Sequence, residues 1–173
     1  MADMSLSGTV ITDQAVVTSA IPGCNLALKF SGEQLAELVF VPDTCPLVTA
    51  ETDAAAYILA QLDLYFRNPN WHFDLSLLPQ GTEFQRRVWQ ALREIPVGTT
   101  VTYGQLAWRL ESSARAVGGA CRNNPVALVV PCHRVVAATG IGGFMGQRDG
   151  QQIDVKAWLL GHELKGVAHH AAE

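Results

Sequence analysis

The chain has 173 residues, of which 49% are hydrophobic and 16% are charged. This composition suits one compact domain or two small ones with a buried core, and it argues against disorder. No run approaches the roughly 18 apolar residues that a membrane span needs. The first ten residues, MADMSLSGTV, also lack the basic-then-apolar order of a secretory signal. We therefore expect a protein that does not bind membranes and lies in the cytoplasm.

The formal net charge of −4 is divided unevenly along the chain. Residues 1–80 contain nine acidic and two basic residues, whereas residues 81–173 contain eight arginines and two lysines against seven acidic residues. Because phosphate binding depends on local potential rather than on total charge, any nucleic-acid surface is expected in the second half. Charge alone does not separate this interpretation from ordinary variation of the surface.

Four cysteines occur, at positions 24, 45, 121 and 132, with no Cys-x-x-Cys spacing and no paired histidines at metal-ligand intervals. We therefore expect no metal site and no cofactor. A reducing cytoplasm disfavours disulfides, so Cys24, Cys45 and Cys121 are interpreted as small buried hydrophobic residues.

The first half of the chain predicts a small sheet covered by one helix. Short apolar runs between Ala15 and about Val41, interrupted by IPGCN and SGEQ, are typical of antiparallel strands. The alanine-rich segment 49–68 predicts a helix over that sheet. Segment 67–81 contains two prolines and a glycine and predicts an extended linker. The expected organisation is therefore one domain at 1–80 and a second at 81–173.

The second half predicts helices joined by short turns. A Thr-x-x-Gln spacing, typical of capping boxes, starts at Thr82 and again at Thr102. Ser112 or Ser113 can cap a further helix over ARAVGGACRNN. Residues 102–123 therefore predict a helix, a tight turn and a second helix.

The second helix of this pair combines small residues with arginines. Gly118 and Gly119 each lower helix stability by about 1 kcal/mol relative to alanine. Such a loss is tolerated where a neighbouring helix or a nucleic-acid backbone approaches closely. Arg115 and Arg122 lie on this helix and Arg109 on the preceding one. The pattern is compatible with a DNA-binding helix-turn-helix, although many helical hairpins bind nothing.

The most informative stretch is VALVVPCHRVV, residues 126–136. Its β-branched run predicts a buried strand that the proline ends, which leaves Cys132 at a strand terminus. His133 and Arg134 are polar within an apolar surround and therefore need partners. A thiol is largely protonated at neutral pH, and a nearby imidazole or helix N-terminus lowers its pKa. The stretch favours a nucleophilic Cys132, with a structural cysteine as the alternative.

Four stretches together resemble the O6-alkylguanine-DNA alkyltransferases, proteins that repair alkylated guanine by moving the alkyl group onto their own cysteine. The stretches are RAVGGACRNNP, VVPCHRVV, GIGGF and KAWLLGHE, and the resemblance covers residues 81 to about 166. It implies an α+β fold with a ribonuclease-H-like sheet-and-helix domain followed by a mostly helical domain that carries the helix-turn-helix. It also implies single-turnover transfer from O6-alkylguanine, with O4-alkylthymine as a second candidate substrate.

The resemblance implies a role for each of five catalytic residues. Cys132 is the expected acceptor nucleophile, and His133 is a base that acts through a water. Glu163 holds and polarises the histidine, and Asn124 braces the same hydrogen-bond network. Tyr103 is expected to donate towards the departing guanine and to press on a phosphate of the target nucleotide.

The resemblance further implies a DNA surface and a substrate pocket. Arg115 is expected to enter the duplex and replace the flipped nucleotide, which recovers part of the few kcal/mol that base extrusion costs. The other expected DNA contacts are Tyr103, Ala116, Gly118, Gly119, Arg122 and Arg109. The expected pocket residues are Pro125, Val135, Gly142, Gly143 and Phe144. The expected partner is double-stranded DNA containing O6-alkylguanine, bound by a monomer.

Structural alternatives exist for several of these residues. Arg115 is otherwise a solvated helix residue, Tyr103 a core aromatic, Asn124 a helix C-cap and Glu163 a surface residue. Two other functions also remain open. One is a DNA-binding protein that recognises alkylated bases without chemistry, and the other is a cysteine hydrolase that needs no nucleic acid.

Overall fold

In a computed structural model of the protein, residues 9–170 fold into two small sheets and five helices. Residues 1–8, on which the expectation of a missing secretory signal partly rests, lie outside the described residues, as do residues 171–173. No helix between residues 9 and 170 has the length and apolar character needed to cross a membrane. The α+β class predicted from the sequence is confirmed.

The first half forms a three-stranded antiparallel sheet with the strands in chain order. Its strands are β1 (Asp13–Thr18), β2 (Cys24–Ser31) and β3 (Gln34–Pro42). Gly32, with φ +58°, supplies the left-handed conformation that the tight turn between β2 and β3 requires. Apolar residues of β2 and β3 are fully buried on one face, as the predicted strands require.

Helix α1 (Asp53–Arg67) covers this sheet. Thr52 caps it by accepting a hydrogen bond from the backbone N–H of Ala55. Its buried stripe includes Ile58, Leu62 and Tyr65. The following segment is extended, as predicted, and it bonds to β3 because Leu35 donates to the carbonyl of Ser76.

The second half is mostly helical. Its elements are α2 (Glu83–Arg93), β4 (Val101–Thr102), α3 (Tyr103–Arg109), α4 (Ala114–Arg122), β5 (Val135–Val136) and α5 (Gln151–His170). Both predicted capping boxes form, at Thr82 and Thr102, and Ser113 caps α4. The predicted helix-turn-helix is therefore confirmed as α3 and α4. The short β4 and β5 pair in parallel.

The strand predicted for residues 126–130 is wrong. Leu38 of β3 donates to the carbonyl of Pro125 and accepts from Ala127, and these bonds fix the start of the segment. Leu128 then turns the chain with φ +72°. Cys132–Arg134 form one turn of 3-10 helix rather than following a strand end. The β-branched run predicted burial correctly, but it forms no ladder: apart from the bonds with Leu38 and Asn124, Val129 and Val130 donate back to Ala127 and Val126.

The hydrophobic core continues across the predicted boundary at residue 80. Phe40 of β3 and Phe144 of the second half pack with ring centroids 5.8 Å apart. The division into two domains stays a prediction. Of the cysteines interpreted as buried, Cys24 and Cys121 are buried, whereas Cys45 is partly exposed because it lies in the turn after β3.

Candidate active site

Cys132 is held in the 3-10 turn by the side chain of Asn124. The thiol-bearing residue is only 3% exposed, and Asn124 is equally buried. The Asn124 amide nitrogen donates to the carbonyl of Val130 at 2.8 Å and to Sγ of Cys132 at 3.3 Å. Its amide oxygen accepts from the N–H of Val126 at 3.1 Å. Asn124 is therefore no helix cap, since Asn123 takes that position on α4.

His133 and Glu163 form a fully buried pair. Nε2 of His133 lies 2.7 Å from Oε1 of Glu163, and both side chains are inaccessible to solvent. An ionised carboxylate only accepts hydrogen bonds, so Nε2 carries the proton and Nδ1 is left as an acceptor. Nδ1 is buried and has no partner among the described residues. Glu163 is not the surface residue that the alternative interpretation required.

Several further donors surround the Glu163 carboxylate. Arg134 reaches Oε2 with Nε at 3.0 Å and Oε1 with Nη2 at 2.9 Å. The Tyr65 hydroxyl donates to Oε1 at 2.9 Å, and the Gly98 N–H donates to Oε2 at 3.3 Å. Burial alone would raise the pKa of Glu163, but the hydrogen bonds and charges of His133 and Arg134 outweigh it and hold the pKa well below its usual range. The carboxylate is therefore a fixed negative charge.

The thiol and the imidazole are both neutral at rest. Burial raises the pKa of the Cys132 thiol, against the lowering effects of the Asn124 hydrogen bond and the Lys156 charge. Burial also lowers the pKa of His133, although Glu163 opposes the change. The expectation that the surroundings lower the thiol pKa is wrong for this state, because desolvation of the sulfur dominates.

A cavity of about 250 Å³ adjoins Cys132. Its lining includes the predicted residues Tyr103, Gly143 and Phe144, together with Gly118, Cys121, Arg122, Cys132 and residues 145–148. Gly142 adjoins this lining with φ +72°, and a Cβ there would lie 3.0 Å from the backbone nitrogen of Ala137. Only glycine fits this combination of conformation and space.

The two other predicted pocket residues lie elsewhere. Val135 is fully buried beneath the site, where its carbonyl accepts a hydrogen bond from Lys156. Pro125 lines a different cavity of about 190 Å³, between Trp89 and the extended segment that contains Leu77. Neither residue is part of the lining of the cavity beside Cys132.

Lys156 is a residue of the site to which the sequence analysis gave no role. It is fully buried, and Nζ donates to the carbonyls of Val135 at 2.7 Å and Gly143 at 2.8 Å. The Tyr103 hydroxyl donates to the same Gly143 carbonyl at 3.3 Å. Burial lowers the pKa of Lys156 to about 8. A lysine inside the apolar KAWLL stretch was the available signal, since lysine is rarely buried without a purpose.

The helix-turn-helix presents an open face beside this cavity. The predicted DNA contacts on it are all at least partly exposed: Arg109, Arg115, Ala116, Gly118, Gly119 and Arg122. A Cβ at Gly118 or Gly119 would meet nothing within 4 Å. The packing of the described residues therefore does not require glycine at these two positions. Because Gly118 and Arg122 also line the cavity, the face is continuous with the site of Cys132.

Comparison with known proteins identifies relatives of this arrangement. The sequence profile described as "6-O-methylguanine DNA methyltransferase, DNA binding domain" matches residues 83–165. A methylated-DNA–protein-cysteine methyltransferase of Methanosarcina mazei is 49% identical over 102 residues, which are 58% of this chain and 62% of that protein. A probable enzyme of the same name from Acanthamoeba polyphaga mimivirus is 42% identical over 112 residues, which are 63% of this chain and 72% of that protein.

The structural comparison extends beyond the matched sequence. The crystal structure of Mycobacterium tuberculosis OGT in complex with DNA superposes with a TM-score of 0.72 at 36% identity, covering 88% of this chain and 93% of that one. The sequence match to the Methanosarcina mazei protein spans less than two thirds of its length. The structural match, in contrast, includes both halves of the fold. By sequence and by fold, the chain belongs to the methylated-DNA–protein-cysteine methyltransferase family, the O6-alkylguanine-DNA alkyltransferases.

Proposed function

We propose that this chain repairs DNA by moving the alkyl group of O6-alkylguanine onto Cys132, once per molecule. O4-alkylthymine is a second candidate substrate. The observation that carries the proposal is a single cavity that is lined both by Cys132 and by residues of the helix-turn-helix. Cys132 lies on one side of it, and Gly118 and Arg122 of the helix-turn-helix lie on another. A base extruded from a duplex bound at α4 would thus enter next to the thiol.

The proposed step is an in-line displacement that balances without a co-reactant. A bond forms between Sγ of Cys132 and the alkyl carbon, while the bond from that carbon to O6 breaks and leaves its electron pair on the purine. The thiol proton passes through a water to Nδ1 of His133, the acceptor that the Glu163 hydrogen bond leaves open. The purine anion takes up one proton from the Tyr103 hydroxyl, Tyr103 regains a proton from solvent, and His133 releases the thiol proton to solvent.

Tyr103 is suited to donate to the departing purine. Burial raises the pKa of Tyr103 to about 12, so its hydroxyl keeps its proton at neutral pH. The hydroxyl donates to the Gly143 carbonyl at the cavity lining, and an entering base would compete for this donor. The reaction product is a thioether, for which none of the residues beside Cys132 supplies a hydrolytic route. The protein is therefore consumed by a single transfer.

The proposed partner is double-stranded DNA, bound by a monomer in the cytoplasm or bacterial nucleoid. Arg115 lies exposed in the first turn of α4, where it can fill the space left by the extruded nucleotide. Arg109 and Arg122 supply positive charge on either side, which suits phosphate binding.

The test is the intact mass of the protein after incubation with a duplex that contains O6-methylguanine. We expect a gain of about 14 Da on Cys132, corresponding to one methylene unit, and at most one equivalent transferred per molecule. Cys132→Ala should gain no mass and still bind the duplex, whereas Cys45→Ala should react as the wild type does. Repeated turnover, or mass gained by Cys132→Ala, would contradict the proposal. Binding of methylated DNA without any transfer would indicate a non-catalytic reader instead.

A further inference from the structure

The first half of the chain contributes the Tyr65 hydroxyl to the hydrogen-bond network of the site. The hydroxyl of Tyr65, on α1, donates to Oε1 of Glu163 at 2.9 Å, across 98 positions of sequence. The same oxygen accepts from Nε2 of His133 at 2.7 Å. Tyr65 is 1% exposed and Glu163 is fully buried, so no solvent competes for the bond.

The Tyr65 ring is fixed by its neighbours. It stacks on Phe73 with centroids 5.5 Å apart and meets the edges of Phe66 and His162 at 5.6 and 5.4 Å. Nε2 of His162 also lies 3.1 Å from the Tyr65 carbonyl. Because the ring is packed on three sides, the Tyr65 hydroxyl has a fixed position. This preorganisation strengthens its hydrogen bond to the Glu163 carboxylate.

From this geometry we infer that Tyr65 is a positioning residue of the transfer reaction, acting on His133 through the carboxylate of Glu163. The inference rests on the proposed function for its kinetic consequence, but not for its effect on the histidine. Hydrogen bonds to a carboxylate spread its charge over the donors. With the Tyr65 donor present, Glu163 orients the imidazole without drawing a second proton onto Nδ1.

The charged groups around His133 determine at which pH the loss of the Tyr65 hydroxyl should affect the transfer rate. The ionisable groups that act on His133 are Glu163, Arg134 and Lys156, and Cys132 is its neighbour in the chain. Burial lowers the pKa of Lys156 to about 8, which is on the alkaline side of the His133 titration. Protonation of His133 therefore sets the acid limb of the transfer rate. Removing the Tyr65 hydroxyl concentrates the charge on Glu163, favours the imidazolium and moves that limb to higher pH.

The test is Tyr65→Phe, which removes the hydroxyl and keeps the ring. We expect the His133 pKa, measured by NMR of the ring carbons, to rise by about half to one unit. Single-turnover transfer from methylated duplex should fall by a factor of a few near pH 6, at most about eightfold, and much less near pH 8. Phe73→Leu, which retains the hydroxyl but loosens its ring, should shift both measurements in the same direction by less.

Two matched variants on α1 provide controls. Tyr57→Phe removes a tyrosine hydroxyl that contacts Gln61 and Asp74 rather than the site, and it should change neither measurement. Ile58→Val lowers stability by loss of buried packing and should slow transfer equally at all pH values, if at all. An unchanged His133 pKa in Tyr65→Phe, or an equal shift in Ile58→Val, overturns the inference. If the wild type fails to transfer, the proposed function fails, while the NMR titration still decides the role of Tyr65.

Discussion

The two ends of the buried Cys132–His133–Glu163 series differ in how completely they are bonded. At the carboxylate end, Glu163 accepts hydrogen bonds from four residues, including two from Arg134, and its exposure is zero. At the thiol end, Sγ accepts one side-chain hydrogen bond, from Asn124, and the residue borders a cavity of about 250 Å³.

The permanent negative charge therefore lies on Glu163, whereas the proposed bond formation takes place at Cys132. A buried carboxylate is stable only if its charge is compensated, and compensation on all sides leaves it no freedom to react. A buried neutral thiol needs no counter-charge and can keep one side open to a substrate. The ionised group, Glu163, is therefore the one that takes no direct part in the proposed transfer. The thiol proposed as the nucleophile borders the cavity but is itself buried, and this burial raises its pKa.

Breaking the carboxylate end should have the largest effect. Glu163→Gln removes the negative charge opposite Arg134 and leaves that buried guanidinium uncompensated, which typically costs about 3–5 kcal/mol of stability. Loss of the fixed acceptor should also slow transfer by about a hundredfold or more, since His133 loses its orientation. Urea unfolding and single-turnover transfer measure the two effects.

The matched control for this prediction is Glu94→Gln, at the exposed C-terminus of α2. A surface carboxylate of this kind should change stability by no more than about 0.5 kcal/mol. If Glu163→Gln lowered stability no more than Glu94→Gln does, the Glu163 carboxylate would not be a fixed charge that compensates Arg134.

The thiol end should respond less strongly, through Lys156. Lys156→Met keeps the length of the side chain but removes the buried charge near Cys132 and leaves the Val135 and Gly143 carbonyls without this donor. We expect a loss of about 2 kcal/mol in stability and transfer about tenfold slower. The thiol pKa, measured by the pH dependence of alkylation with iodoacetamide, should rise further.

Lys165→Met serves as the control because Lys165 lies exposed on the same helix, α5. It should leave the thiol pKa and the transfer rate unchanged. If Lys156→Met kept the thiol reactivity of the wild type, the Lys156 ammonium group would only position the loop that contains Gly143. It would not lower the pKa of the Cys132 thiol.

Local features of the fold were predictable from the sequence because they depend on neighbouring residues. The Thr-x-x-Gln spacings at Thr82 and Thr102 encode capping boxes within four residues, and both form as predicted. Ser113 likewise caps α4 through a contact three residues away. The contact of His133 with Glu163 was available only from the family resemblance, because spacing alone does not bring residues 30 positions apart into contact.

Features that depend on distant contacts were missed. The β-branched run 126–130 has the composition of a strand, but Leu38 of a distant strand takes its first hydrogen bonds and Leu128 turns the chain. Tyr65 carries no sequence signal for its contact with Glu163, since a tyrosine on the buried stripe of α1 is indistinguishable from an ordinary core aromatic. The raised pKa of Cys132 was missed because adjacency to His133 suggests activation, whereas burial decides the outcome.

The smallest expected effect is the pH dependence of stability. It should have opposite signs at the two ends: His133 and Glu163 should lower stability at acid pH, and Cys132 should lower it at alkaline pH. The pKa of His133 is lowered by burial from 6.5, and that of Glu163 is held below 4.5, so the unfolded chain binds protons that the native site does not. Stability should therefore fall as pH drops below about 6.5, by at most about 1.4 kcal/mol per pH unit for each proton. The Cys132 thiol has a pKa raised above 9.0, so its contribution should be lost as pH rises beyond that value.

Substitutions at each end should reduce the corresponding slope. In urea unfolding between pH 5.5 and 10, His133→Gln should flatten the acid side, while the exposed His72→Gln should not. Cys132→Ala should reduce the alkaline loss, because burial raises the pKa of this thiol in the native state. If Cys132→Ala also flattened the acid side, the two ends would titrate as one unit, and the separation of fixed charge from neutral nucleophile would not hold.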